Sequence, residues 1–285
     1  MKQNYYCLVS GLPDIHIDDS KSQINIKDYI TEIQKNTSSS DFEFVKFYLF
    51  RYDNQNLLKF LENEDAELNP LGNFTRDDLE EIVSMLKEDE SAREIVIPDY
   101  LRRFIPRYLS ETPLFPDLSW ENQLAYLYYT QAIFSANPFI KSWFEFDMNI
   151  SNILAAFNCR KYDLEIDENI IGENEVAINI KTSTSKDFGL SQILVYFDEL
   201  VRISEEENLA EKEKKLDRLK WEYISEHTFF HYFSIEKLFG YLVKLEIVNR
   251  WIQLNKENGE KVFREVLDKL ENSYEFPEEF LLNKR

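Results

Sequence analysis

Two histidines offer the best-placed chemistry in the chain. In Glu226-His227-Thr-Phe-Phe-His231 they stand at i and i+4. On a helix that spacing puts both on one face, where they could share a metal ion with Glu222 or Glu226. The order of residues is not that of the zinc proteases. The flanking Phe229, Phe230, Tyr232 and Phe233 fit an aromatic packing segment instead. Carboxylate clusters at Asp18-Asp19, Asp77-Asp78 and Glu205-Glu206-Glu207 could hold a metal, as the Asp-rich motifs of helical isoprenoid enzymes do. Asp77-Asp78, however, falls in a first helical turn, where the helix dipole favours acids, and the Glu run reads as a solvated face. Glycine-rich phosphate loops are absent, and Gly189-Leu-Ser191-Gln lacks the final glycine of a nucleophile elbow. Cys7 and Cys159 form neither a metal-like pair nor a disulfide framework. The expectation is a protein that is not an enzyme, with no catalytic, cofactor-binding or metal-binding residues and no cofactor.

The elements that would carry these residues are helical. The 285 residues include only 6 Gly, too few for the tight turns of an all-β chain, beside 22 Phe, 16 Tyr and 4 Trp. Fifty-three acids against 33 bases give a net charge of -20, which disfavours nucleic acid as a partner. A basic protein partner is compatible with that charge. No apolar run approaches the ~20 residues of a membrane span, and the first residues lack a signal core. The expected location is cytoplasmic.

Tyr5–Val9 reads as a short strand closed by Gly11-Leu-Pro-Asp14. Helices are expected over Ile24–Gln34 and Asp41–Glu62, the latter capped by Ser40 or Asp41, and from Thr75 onward. Further helices are expected over Ser119–Ala136 and from Asn137-Pro138 to about Lys161. Residues 163–189 read as an inserted loop, with the alternation Val176–Thr182 forming a small strand or hairpin. The charged stretch Glu205–Lys220 reads as an exposed or protruding helix. Ser234 and Asn258 read as caps of two last helices, with Phe263, Val266, Leu267 and Leu270 on one face.

Three segments align without gaps: 47–63, 143–159 and 240–256. They share an Asn column, Asn56, Asn152 and Asn249, preceded three residues earlier by Asp53, Asn149 and Glu246. The steps are 96 residues from Asn56 to Asn152 and 97 from Asn152 to Asn249. An amide or acid at i and an Asn at i+3 share a helix face. Asn is an indifferent helix former, so in mid-helix it is expected to hydrogen-bond a neighbouring loop or helix and fix its packing. The fold class expected is mostly all-α, three divergent helical repeats with a small β element near 5–9 and/or 176–182. The units run approximately 1–97, 98–190 and 191–285.

This acid-then-Asn pattern in three units, followed by a basic residue at Arg160-Lys161 and Lys256, resembles the C (or d) subunit of V-type and archaeal-type rotary ATPases. The first copy departs from it with Glu62-Asn63-Glu64. The opening Asn4-Tyr-Tyr-Cys-Leu-Val-Ser-Gly-Leu-Pro-Asp14 looks like that of a bacterial family of unassigned function, whose genes lie beside those of V-type ATPase subunits in some bacteria. The resemblance implies a non-catalytic funnel of three helical units. Its partners would be the rotary stalk subunits and the membrane rotor ring, and its place peripheral to the inner face of the cell membrane through protein contacts. On that reading the acidic surface would receive a basic stalk end. Two other readings are a free-standing helical protein–protein adaptor and a metal-dependent helical enzyme using His227 and His231.

Overall fold

The computed structural model describes residues 3–87 and 96–272. Among these residues the chain is all helical: α1 (Tyr6–Ser10), α2 (Ile26–Asn36), α3 (Ser39–Glu62), α4 (Arg76–Lys87), α5 (Asp99–Leu109), α6 (Trp120–Ile133), α7 (Pro138–Tyr162), α8 (Glu175–Thr182), α9 (Phe197–Ser204), α10 (Leu209–His227) and α11 (Ile235–Asn272). No helix is long and apolar enough to cross a membrane among the described residues.

Polar caps start most of these helices. Asn25, Ser38, Ser119, Asn137, Asn174 and Asn208 each accept a hydrogen bond from an amide of the first turn. Thr75 and Asp78 cap α4 reciprocally, each side chain accepting from the other's backbone amide. The cap of α3 is Ser38, ahead of the expected Ser40 or Asp41.

Several expectations are corrected. Both β segments are helical: residues 6–10 form α1, and 175–182 form α8 under the Asn174 cap. Val176, Ala177 and Ile180 are all buried, a helical spacing rather than an alternating one. The stretch 163–189 is therefore not simply a loop. The charged segment forms α10 later than expected, and its inner face is packed, with Asp217, Leu219 and Ile224 buried. No helix begins at the expected Asn258 cap: residue 258 lies inside the single 38-residue α11. The side chains of Phe263, Val266, Leu267 and Leu270 lie outside the described residues.

The three long helices α3, α7 and α11 run parallel. Their N-termini meet: the Tyr5 hydroxyl bonds to Asp41 at the head of α3, while the Tyr5 amide donates to the Phe233 carbonyl just ahead of α11. Asn137, the cap of α7, donates to Glu236 in the first turn of α11. A turn or two further along, Phe47, Tyr48, Phe144 and Phe239 pack ring on ring, with centroids 5.1–6.5 Å apart. The remaining helices pack around this triplet, and α6 bridges α3 to α5 and α7.

Candidate functional site

The paired residues of α3 tie down the segment that follows it. The buried Asp53 carboxylate accepts from the Phe74 amide at 2.8 Å and from Asn73 Nδ2 at 2.6 Å. One turn later, Asn56 uses both ends of its amide on one peptide partner. Its Nδ2 donates to the Asn69 carbonyl at 3.0 Å, and its Oδ1 accepts from the Asn69 amide at 2.7 Å. Burial pushes the Asp53 carboxyl up, against the hydrogen bonds from Asn73 and Phe74 that favour its charge.

α7 makes the same contacts. Asn149 Oδ1 accepts from Asn174 Nδ2 at 2.8 Å. Asn152 Nδ2 donates to the Ile171 carbonyl at 2.7 Å, and its Oδ1 accepts from the Ile171 amide at 3.1 Å. In both places the clipped segment leads into a short helix, α4 or α8, and carries a glycine packed close to the long helix. A Cβ on Gly72 would come within 2.7 Å of Asn56 Nδ2, and one on Gly172, at φ +89°, within 3.0 Å of Met148.

The third pair behaves differently. Asn249 Nδ2 donates to the Leu245 carbonyl of its own helix at 2.8 Å and to Ser22 Oγ at 3.3 Å. Ser22 precedes Asn25, the cap of α2, by three residues, as Ile171 precedes Asn174. Glu246 turns away from this segment. Its buried carboxylate accepts from Tyr48 at 2.5 Å, from Arg51 at 2.6 Å and from Tyr52 at 2.8 Å, all on α3.

Glu246 thereby joins a polar cleft of about 350 Å³ between α3, α7, α10 and α11. Beside it, Lys220 Nζ lies 2.6 Å from Asp147, which also accepts from the Tyr129 hydroxyl at 2.7 Å. Burial works against the Asp147 charge, but Lys220 and Tyr129 hold its carboxyl below the usual carboxylate range. Arg250 pairs with Asp217, which accepts from Trp251 Nε1 at 2.7 Å. Three acids thus face three bases, and each carboxylate also accepts a hydrogen bond from a tyrosine hydroxyl or the Trp251 indole. This arrangement locks helices together. On the outer flank of α11, Lys244 is pushed down to about 8 by burial and then by Lys237. Its ammonium donates to Ser225 Oγ and lies 4.7 Å from the centre of the Trp221 ring.

Of the cleft residues, sequence reasoning singled out Glu246 and Asn249 and passed over the rest. One signal was present: Arg51 and Asp147 occupy a single column of the aligned segments, two before Asp53 and Asn149. The histidines are not brought together on a helix, because α10 ends at His227. His227 Nδ1 lies 2.8 Å from the Tyr223 carbonyl, and His231 Nδ1 lies 3.5 Å from Glu236 Oε2. The acidic clusters have structural partners: Asp18 pairs with Lys214, Asp78 caps α4, and Glu206 pairs with Lys215. Among the described residues no group of three or more His, Cys, Asp or Glu converges in a way that could hold a metal.

Across residues 1–274 the chain matches the family model described as "Protein of unknown function (DUF2764)", and it belongs to that family. No curated protein and no solved structure matches it.

Proposed function

We propose that the protein is a non-catalytic connector of a V-type rotary ATPase, built of three divergent helical units in a funnel and coupling the rotor stalk to the membrane ring. The observation that carries this reading is the matched clip. Asn56 and Asn152, 96 residues apart, each hold the peptide of one loop residue through both ends of a buried side-chain amide. Two such clips on parallel helices, with a third Asn a further 97 residues on, fit a repeated unit. That agrees with the sequence resemblance to the C (or d) subunits. The paired charges of the central cleft suit a part that transmits force, since ion pairs there resist shear between helices.

The test is purification of the tagged protein from its native membranes, with mass spectrometry of what accompanies it. V-type catalytic, stalk and ring subunits at near-stoichiometric levels support the reading. Their absence from the eluate, when they are present in the same membranes, refutes it. A free-standing adaptor is the second reading, favoured by exposed rings at Phe134, Phe229 and Phe230. It would bring down other clients and none of those subunits.

A further inference from the structure

The inner end of the central cleft has hydrogen-bond donors to spare. Trp143 lines it at 2% exposure, and its indole Nε1 has no hydrogen-bond partner among the described residues. A buried donor is normally partnered, so one left open at the wall of a recess calls for an acceptor. Lys220 adds to the surplus. It stands on α10 three residues before Tyr223, whose ring lies 6.1 Å from Trp143, and it pairs with Asp147, one turn beyond Trp143 on α7. An ammonium carries three N–H groups, and among the described residues only the bond to Asp147 engages one.

The acids at this end are already engaged. Asp147 accepts from Lys220 on one oxygen and from the Tyr129 hydroxyl on the other. Glu246 accepts from Tyr52 on one oxygen and from Tyr48 and Arg51 on the other. The capacity left over is therefore that of donors, and it suits a ligand that brings acceptors. Tyr48, Val243 and Ile247, all buried, add apolar wall to the same recess. At about 350 Å³ the cleft falls at the lower end of small-molecule pockets, which join apolar walls to a few placed polar groups. The charges set the form of the ligand. Asp147 and Glu246 already offset Lys220 and Arg51, and a dianion would meet both acids at close range. A single negative charge shared over two oxygens matches the two donor groups with the least repulsion.

We infer that the inner cleft binds a small monocarboxylate with an apolar body, its carboxylate accepting from Trp143 Nε1 and Lys220 Nζ. This site is independent of the connector reading and stands or falls without it.

The experiment follows the indole N–H signals of the four tryptophans in a nitrogen–proton correlation spectrum of the isotope-labelled full chain. Sodium benzoate is added at constant ionic strength, and a Trp143→Phe variant identifies the Trp143 signal. If that variant does not fold, replacing Trp120, Trp221 and Trp251 by Phe in turn assigns the signal by elimination. The expected result is a saturable downfield shift of the Trp143 signal, larger than at the other tryptophans. Benzamide, which keeps the ring and loses the charge, should bind about tenfold or more weakly. By calorimetry, Trp143→Phe should weaken benzoate binding about tenfold, and Trp221→Phe, whose ring faces Lys244 on the outer flank, should leave it unchanged. A Trp143 signal that stays put, moves without saturating, or moves as far with sodium chloride overturns the inference. Equal binding of benzamide also overturns it, by making the recess only an apolar one. Tighter binding of inorganic phosphate does the same, by making it a site for a dianion.

Discussion

Asn152→Ala should be among the most damaging single substitutions in α7. The side chain is 2% exposed and satisfies both polar groups of the Ile171 peptide, itself buried. Two lost hydrogen bonds account for roughly 1–3 kcal/mol, and a buried peptide left without partners adds a desolvation cost of similar size. Partial relaxation that admits water trims the total to about 2–4 kcal/mol. Urea unfolding followed by circular dichroism should show a lower midpoint at an unchanged slope, and amide exchange at Ile171 should accelerate. Asn249→Ala is the internal comparison. It is half-buried and reaches another segment only through Ser22 Oγ at 3.3 Å, so it should cost less than about 1 kcal/mol. Asn152→Asp separates the clip from simple packing: it keeps the acceptor for the Ile171 amide but sets a carboxylate oxygen against the Ile171 carbonyl. It should be destabilising at pH 7 and recover as acid protonates it. A cost for Asn152→Ala no larger than that for Asn249→Ala would refute the claim that the clips hold these segments in place.

Three further outcomes follow from the same geometry. Gly72→Ala should cost about 1–3 kcal/mol in urea unfolding, because its Cβ would press on Asn56 Nδ2 and Asp53 Oδ1, neither of which can retreat without breaking a clip. Glu246→Gln should cost about 1–3 kcal/mol by leaving Arg51 unpaired, and Arg51→Met in the same chain should recover part of the loss; additivity in that cycle would deny the coupling. Lys244, pushed down to about 8 from 10.5 in the unfolded chain, binds its proton less tightly when folded. The unfolded state therefore holds more protons between those values, and stability should rise from pH 8 to 9.5. The difference from Lys244→Met, taken from melting curves, isolates this rise from other titrations and should shrink as pH increases.

Capping chemistry made much of the fold legible in advance. Thr75 and Asn137-Pro138 mark real helix starts, and the mid-helix Asn residues signalled partners outside their own helices. Local reading failed where side-chain type and local spacing disagreed. The alternation Val176–Thr182 suggested a strand, while the Asn174 cap and the burial of Val176, Ala177 and Ile180 belong to a helix. Asn258 suggested the cap of a further helix, yet residue 258 lies inside the single α11. The pairing across the cleft could not be read from local pattern. Arg51 and Glu246 are 195 residues apart in sequence, and only the packing of α3 against α11 brings them together.

The unlike third pair has a physical reason on the three-unit reading. Asp53 and Asn149 accept from the segment that follows their own helix, because α3 and α7 end after 24 and 25 residues and the chain turns back along them. α11 does not turn back; it runs for 38 residues. The place of the returning segment beside Asn249 is filled by residues leading into α2, held through Ser22 and further secured where Tyr241 donates to the Pro13 carbonyl and Tyr29 to the Leu238 carbonyl. A segment arriving from elsewhere in the chain brings no amide to position 246, so an acceptor there needs other donors. Arg51, Tyr48 and Tyr52 supply them from α3, and the acid that clips a loop in the first unit here binds the third long helix to the first. The column is thus kept as an acceptor in all three helices while its partner changes, which is what divergence under a fixed packing geometry produces.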